Sequence, residues 1–194
     1  FGPLNDYSVN YMWGTTGIGY NVEKINERME NAPTTSLAMV FDPDVVSKFA
    51  DCGVHLLDAP EEIIPAALAY LGEDPRSTDS DVIAKAEAVL TAVRPHIQKF
   101  HSSQYIDALG NGDICLVVGW SGDVFQALYA AEEAENGVEI VYSIPDEGAL
   151  MWFDQLAVPK DAPNADNAHK YINWIMDPEQ IATATNYVWY ANGN

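Results

Sequence analysis

Ile114-Cys-Leu-Val-Val-Gly-Trp-Ser-Gly-Asp123 is the stretch that decides the architecture. Its first five residues form an unbroken apolar run rich in β-branched side chains, the pattern of a strand buried on both faces. Gly119-Trp-Ser-Gly-Asp123 then reads as a loop, followed by a helix from about Val124 to Glu135 that Gly137 ends. Ligands in open α/β sheets bind outside the carboxyl ends of such strands, so this loop is the first place to look for a site. Ser121 or Asp123 can equally serve as a cap that complements the dipole of the next helix. The run resembles a nucleophile elbow only in part: its fifth position is Asp123 rather than glycine, and His169 is the one downstream histidine, so a serine hydrolase is not supported.

Working outward, strands and helices alternate, which predicts an α/β protein with a parallel or mixed sheet covered by helices. Tyr7 to Met12 and Thr16 to Asn21 read as extended, with Gly14-Thr-Thr-Gly17-Ile-Gly19 between and within them as a bend or hinge. That glycine-rich segment lacks the lysine of a phosphate-binding loop and does not open a helix directly. Helices are expected near Val22–Met29 and Asp44–Phe49, and a short strand at Val54–Leu57. Asp58-Ala-Pro-Glu61 has capping-box spacing and opens a helix to about Leu71. Beyond a turn-rich connector, Ser80 is placed to cap a helix over about Asp81–Val93, and Gln104–Leu109 reads as a helical turn. Val138–Ile144 and Leu150–Val158 read as strands, and helices are expected near Ala165–Met176 and from Pro178 toward Trp189.

Asp154 is a carboxylate inside Ala149-Leu-Met-Trp-Phe-Asp-Gln-Leu-Ala-Val158, a segment that otherwise reads as a buried strand, and Lys160 is the nearest basic residue in sequence. An unpaired buried charge is costly, so a cation is expected to answer it. Alternation along a strand puts Trp152 and Asp154 on the same side. An aromatic face beside a carboxylate suits an ammonium on an alkyl stem. Glu61, just past another strand end, is a further candidate contact by the same placement, although capping explains it as well.

With 194 residues and 48% hydrophobic content the chain can bury a core, and its length fits one domain plus a fraction, or one lobe of a two-lobed protein. Twenty-nine acidic against nine basic residues give a formal charge of -20, which disfavours nucleic acid and anionic membranes and favours cationic partners, or serves solubility alone. No apolar run approaches the roughly 20 residues needed to span a bilayer. The opening Phe1-Gly-Pro-Leu-Asn-Asp6 has neither Met nor a basic region, so no signal peptide is read there and a processed form or a fragment is expected.

Cys52 and Cys115 each lie beside a core strand, and spacing alone leaves one disulfide or two buried thiols open. No C-x-x-C is present, and His55, His96, His101 and His169 are scattered without ligand spacing, so neither a metal nor any other cofactor is expected. The aromatics Tyr187, Trp189 and Tyr190 read mainly as packing.

In one order along essentially all of the chain, Tyr11-Met-Trp-Gly-Thr-Thr-Gly-Ile-Gly-Tyr-Asn21, Leu57-Asp-Ala-Pro-Glu-Glu62, His101-Ser-Ser-Gln-Tyr105, Asn111-Gly-Asp-Ile-Cys115, Gly119-Trp-Ser-Gly-Asp123, Ser143-Ile-Pro, Glu147-Gly148 and Trp152-Phe-Asp154 resemble the periplasmic polyamine-binding proteins of bacterial ABC importers, closest to the putrescine- and spermidine-binding members. The resemblance implies a type II periplasmic-binding fold that closes around a diamine or triamine and delivers it to an ABC transporter permease. It implies one complete lobe over residues 14–154, with 1–13 and 155–194 supplying crossing strands and part of the first lobe. Trp120 is similar to the family's stacking aromatic, Asp123 and Asp154 to its ammonium-binding carboxylates, Trp152 and Tyr190 to its aromatic contacts, and Glu61 to a further polar contact. Cys52 and Cys115 match its disulfide. A polyamine-binding, periplasmic, non-enzymatic protein is therefore expected. The alternatives are a carboxylate-based enzyme such as a glycoside hydrolase using Glu61, Asp123 and Asp154, or a polyamine sensor domain.

Overall fold

The computed structural model describes residues 6–193; most of the opening Phe1–Asp6 segment lies outside that range. The chain divides into two compact units, Thr15–Leu150 and Phe1–Gly14 with Met151–Asn194. Strand β1 (Val9–Asn21) is a single strand of 13 residues, so the two extended segments expected on either side of a glycine bend are one element. Gly17 supplies no bend because its missing Cβ is needed for packing: a Cβ there would lie 2.6 Å from the Ser143 carbonyl oxygen and the Tyr142 hydroxyl.

Within Thr15–Leu150, α1 (Val22–Arg28), α2 (Ala38–Phe41) and α3 (Pro43–Val46) precede β2 (Val54–Leu56). Helices α4 (Pro60–Tyr70) and α5 (Ser80–Val93) then lead to β3 (Lys99–Phe100) and α6 (Tyr105–Gly110). Strand β4 (Leu116–Trp120), helix α7 (Ser121–Glu133) and strand β5 (Ile140–Ser143) complete the unit. The strand order is β3-β2-β4-β1-β5. Strand β2 runs parallel to β3 and β4, and β1 runs antiparallel to β4 and β5, so the sheet is mixed. β4 is central, which explains its continuous apolar run: Leu116, Val117 and Val118 are all buried. Around them pack Ile18, Phe41, Phe49, Leu56, Leu68 and Leu109 in one core.

Two local expectations are corrected. Asp58 does not cap α4: the N-cap is Ala59, which makes no side-chain cap bond, and the Asp58 amide instead donates to the Ser102 hydroxyl (3.2 Å). The cap of α5 is Asp79, whose carboxylate accepts from the Asp81 amide (2.8 Å), rather than Ser80, which is already helical. In each case a neighbour one residue away has the non-helical backbone that a cap requires.

Cys52 and Cys115 form a disulfide with a Cα–Cα distance of 5.5 Å. It ties the turn before β2 to the residue that enters β4.

The second unit holds the first part of β1, β6 (Met151–Leu156), α8 (Ala165–Ile175), α9 (Pro178–Val188) and β7 (Ala191–Asn192). Met12 and Trp13 pair with β7, and β6 also pairs with β1. Its core is small, built on Met12, Ile175 and Ile181 with Tyr11, Leu156 and Val188 against them. Helix α9 ends at Trp189, which takes the left-handed conformation at φ 59° that closes many helices.

Candidate functional site

The β4–α7 junction holds two of the expected site residues. Trp120 is the last residue of β4 and the N-cap of α7, and Asp123 lies in that helix's first turn, where a negative charge complements the dipole. The loop expected at Gly119–Asp123 is therefore a strand passing directly into a helix. β4 is paired on both sides and its side chains are locked in the core, so the position of this junction is fixed by the sheet.

Asp123 is buried, 8% exposed. Its Oδ2 accepts a 2.7 Å hydrogen bond from the hydroxyl of Tyr105, a side chain with no solvent exposure at the start of α6. The Tyr105 oxygen in turn accepts from the Trp120 backbone N–H at 3.0 Å. Gly119 makes room for the phenol: a Cβ at 119 would stand 2.8 Å from Tyr105 Cε2.

The Trp120 indole is held by a different group. Its Nε1–H donates to Glu62 Oε1 at 2.8 Å, and Glu62 Oε2 accepts a short hydrogen bond from the Thr16 hydroxyl. Thr16 is opposite Trp120 in the β1–β4 register, so sheet pairing delivers both partners to the first turn of α4. Glu61, the residue expected from sequence, is exposed, whereas its neighbour Glu62 is half-buried and holds the indole. A helix turn advances about 100° per residue, so adjacent positions cannot face the same partner.

Beside this cluster, the Tyr142 hydroxyl donates to the Thr15 carbonyl (2.9 Å) and lies 2.7 Å from the Thr15 hydroxyl. Burial pushes the Tyr142 phenol up to about 12; the Thr15 hydrogen bond works against that rise and the Glu62 charge adds to it. Ser121 Oγ accepts from the Thr15 amide at 3.3 Å, which ties β1 to the start of α7.

The other unit holds Trp152, Asp154 and Tyr190. Trp152 and Tyr190 meet edge to face with ring centroids 5.3 Å apart. The Trp152 Nε1 is buried without a hydrogen-bond partner among the described residues. The strand expected around Asp154 is present as β6, but it is not buried: Met151, Phe153, Asp154 and Gln155 are all exposed. The flanking aromatics cover other aromatics instead, Trp152 against Tyr190 and Phe153 stacked on Trp13 at 6.3 Å. Desolvation by these surroundings still raises the Asp154 carboxyl above its ordinary value, and no ion pair among the described residues offsets it. Tyr11 is raised as well, by burial first and then by the nearby Tyr171 and Asp154.

Sequence reasoning missed Glu62 and Tyr105. Both lie in segments that carried the resemblance, but their partners are distant in the chain, and only the β1–β4 register brings Thr16, Glu62 and Trp120 together. Among the described residues no group of His, Cys, Asp or Glu is arranged to hold a metal ion, and no helix is long and apolar enough to cross a membrane.

The model of the bacterial extracellular solute-binding proteins matches residues 2–193. The chain belongs to that family. It is 48% identical over 194 residues to the putrescine-binding periplasmic protein PotF of Escherichia coli (strain K12), covering 99% of this chain and 52% of the relative. To the putrescine-binding periplasmic protein SpuD of Pseudomonas aeruginosa (strain UCBPP-PA14) it is 46% identical over 193 residues, covering 99% and 53%. Among solved structures, a putative spermidine/putrescine ABC transporter protein from Listeria monocytogenes superposes with a TM-score of 0.79 at 30% identity, over 97% of this chain and 53% of that one. The solute-binding fold of these neighbours is thus the mixed α/β fold described above. The chain spans about half the length of the curated relatives it matches.

Proposed function

We propose that the chain is part of the solute-binding component of a polyamine ABC importer, a periplasmic protein that captures putrescine- or spermidine-like cations and hands them to the permease without chemical change. The observation that carries this reading is the Trp120–Asp123 pair: an indole anchored on Glu62 and a buried carboxylate anchored on Tyr105. An alkylammonium needs both, a π face for its methylenes and charge and an acceptor for its N–H groups. A desolvated cation–aromatic contact contributes up to about 2 kcal/mol. In this reading the ligand-binding lobe, expected over residues 14–154, is built on the unit Thr15–Leu150, with Glu61 as a further carboxylate beside Glu62. Trp152, Asp154 and Tyr190 form a second aromatic–carboxylate group suited to an ammonium. The names of the relatives and the charge of -20 favour the same ligand class.

Titration calorimetry of the full-length protein with putrescine, spermidine and neutral sugars tests it. Heat is expected with the polyamines and none with the sugars. No heat with any polyamine, together with turnover of a glycoside, would replace this reading with an enzymatic one. The 194-residue chain alone is expected to bind more weakly than the full-length protein.

A further inference from the structure

We infer that Tyr105 is a positioning residue for the cation site: its phenol fixes the Asp123 carboxylate relative to the Trp120 indole, and affinity for a diamine depends on that hydroxyl. The inference rests on the polyamine reading above and goes beyond it.

The directions of the hydrogen bonds carry the case. A backbone amide can only donate, so the Trp120 N–H occupies a lone pair of the phenol oxygen at 3.0 Å. The phenol has one proton, and it goes to Asp123 Oδ2 at 2.7 Å. Amide, phenol and carboxylate form a chain in which each bond polarises the next, inside a pocket where Tyr105 has no solvent exposure and Asp123 has 8%.

Trp120 takes part twice, through its amide with Tyr105 and through its indole with Glu62. The phenol therefore sets the carboxylate in register with the same residue that supplies the aromatic face. An ammonium end that meets both groups needs charge and π surface held at a fixed spacing by the protein, because the alkyl ligand is itself flexible. Gly119 belongs to the device, since any side chain there would push the phenol off this line.

A purely structural role, a buried tyrosine whose hydroxyl is simply satisfied, is separated from a positioning role by a double-mutant cycle in the full-length protein, read by calorimetric titration with putrescine. Tyr105→Phe is expected to weaken binding about tenfold. In an Asp123→Asn background the same change is expected to cost only about threefold, because the phenol then donates to a neutral amide oxygen and the bond is about half as strong. Equal loss in both backgrounds, or affinity within twofold of the unsubstituted protein for Tyr105→Phe, would overturn the inference. Absence of putrescine binding by the unsubstituted protein would remove the polyamine reading and this inference together. If Tyr105→Phe does not fold, Gly119→Ala tests the same point while keeping the hydroxyl: displacement of the ring is expected to weaken putrescine binding at least fivefold, and unchanged affinity would overturn the inference.

Discussion

Glu62 accepts the indole N–H of Trp120 across 2.8 Å, joining the first turn of α4 to the last residue of β4. The site is thus built by two elements that enter the sheet at different points, and the carboxylate orients an aromatic face. Replacing Glu62 by Leu leaves a half-buried indole donor without its partner, at a cost of about 1–3 kcal/mol. We expect a lower melting temperature and roughly tenfold weaker putrescine binding. Glu61→Leu, at an exposed position, should lower the melting temperature by less; thermal unfolding of the two variants decides it.

Asp154 gives opposite expectations for stability and for binding. Its carboxyl is raised above the ordinary carboxylate value by desolvation, so the folded state holds the proton more tightly than the unfolded state. Stability is therefore lost as pH rises through the unfolded value near 3.8 toward the higher folded one. Asp154→Asn should melt slightly higher than the unsubstituted protein at pH 7, with the gain vanishing below about pH 3. The same variant of the full-length protein should bind putrescine more than tenfold more weakly. A variant that melts lower at pH 7 would contradict the desolvation account.

Tyr142 offers a test at alkaline pH. With its phenol pushed up to about 12 chiefly by burial, the folded state resists ionisation that the unfolded state undergoes near 10. Stability should fall between pH 10 and 12 because the unfolded chain loses its proton first. Tyr142→Phe should flatten that decline while lowering stability at neutral pH through the lost bonds to Thr15. Denaturant melts at pH 8 and pH 11 make the comparison.

The Cys52–Cys115 bridge closes a loop with a sequence separation of 63. By chain entropy alone such a link contributes about 4 kcal/mol. The double Cys→Ala variant is expected to melt roughly 10 °C lower by calorimetry, and added reductant should lower the melting of the unsubstituted protein similarly.

Much of the fold was legible because the strongest signals are local. The run at Ile114–Val118 has to be an interior strand, and α7, β5, α8 and α9 follow within a few residues of where periodicity and turn residues put them. What stayed hidden depends on partners far away in sequence. Gly14 to Gly19 reads as a hinge, since glycine loosens an isolated chain, yet here Gly17 is demanded by Tyr142 and Ser143 across the sheet. Asp58 and Ser80 have good capping chemistry, but backbone geometry gave the cap to the neighbour of each. For the site, Trp120 and Asp123 could be singled out because they follow the central strand. Glu62 and Tyr105 could not, because neither has a local oddity that marks it. Asp154 misled in the other direction: aromatic neighbours suggest burial, but those rings are occupied with one another.

The bridge also has a kinetic side. Glu62 and Tyr105 lie inside the covalent ring closed by Cys52 and Cys115, and Trp120 and Asp123 follow just past its knot. In the unfolded but oxidised chain these four side chains remain tethered at high effective concentration instead of searching across an open coil. Export into an oxidising compartment would then hasten recovery of the binding surface after every unfolding event.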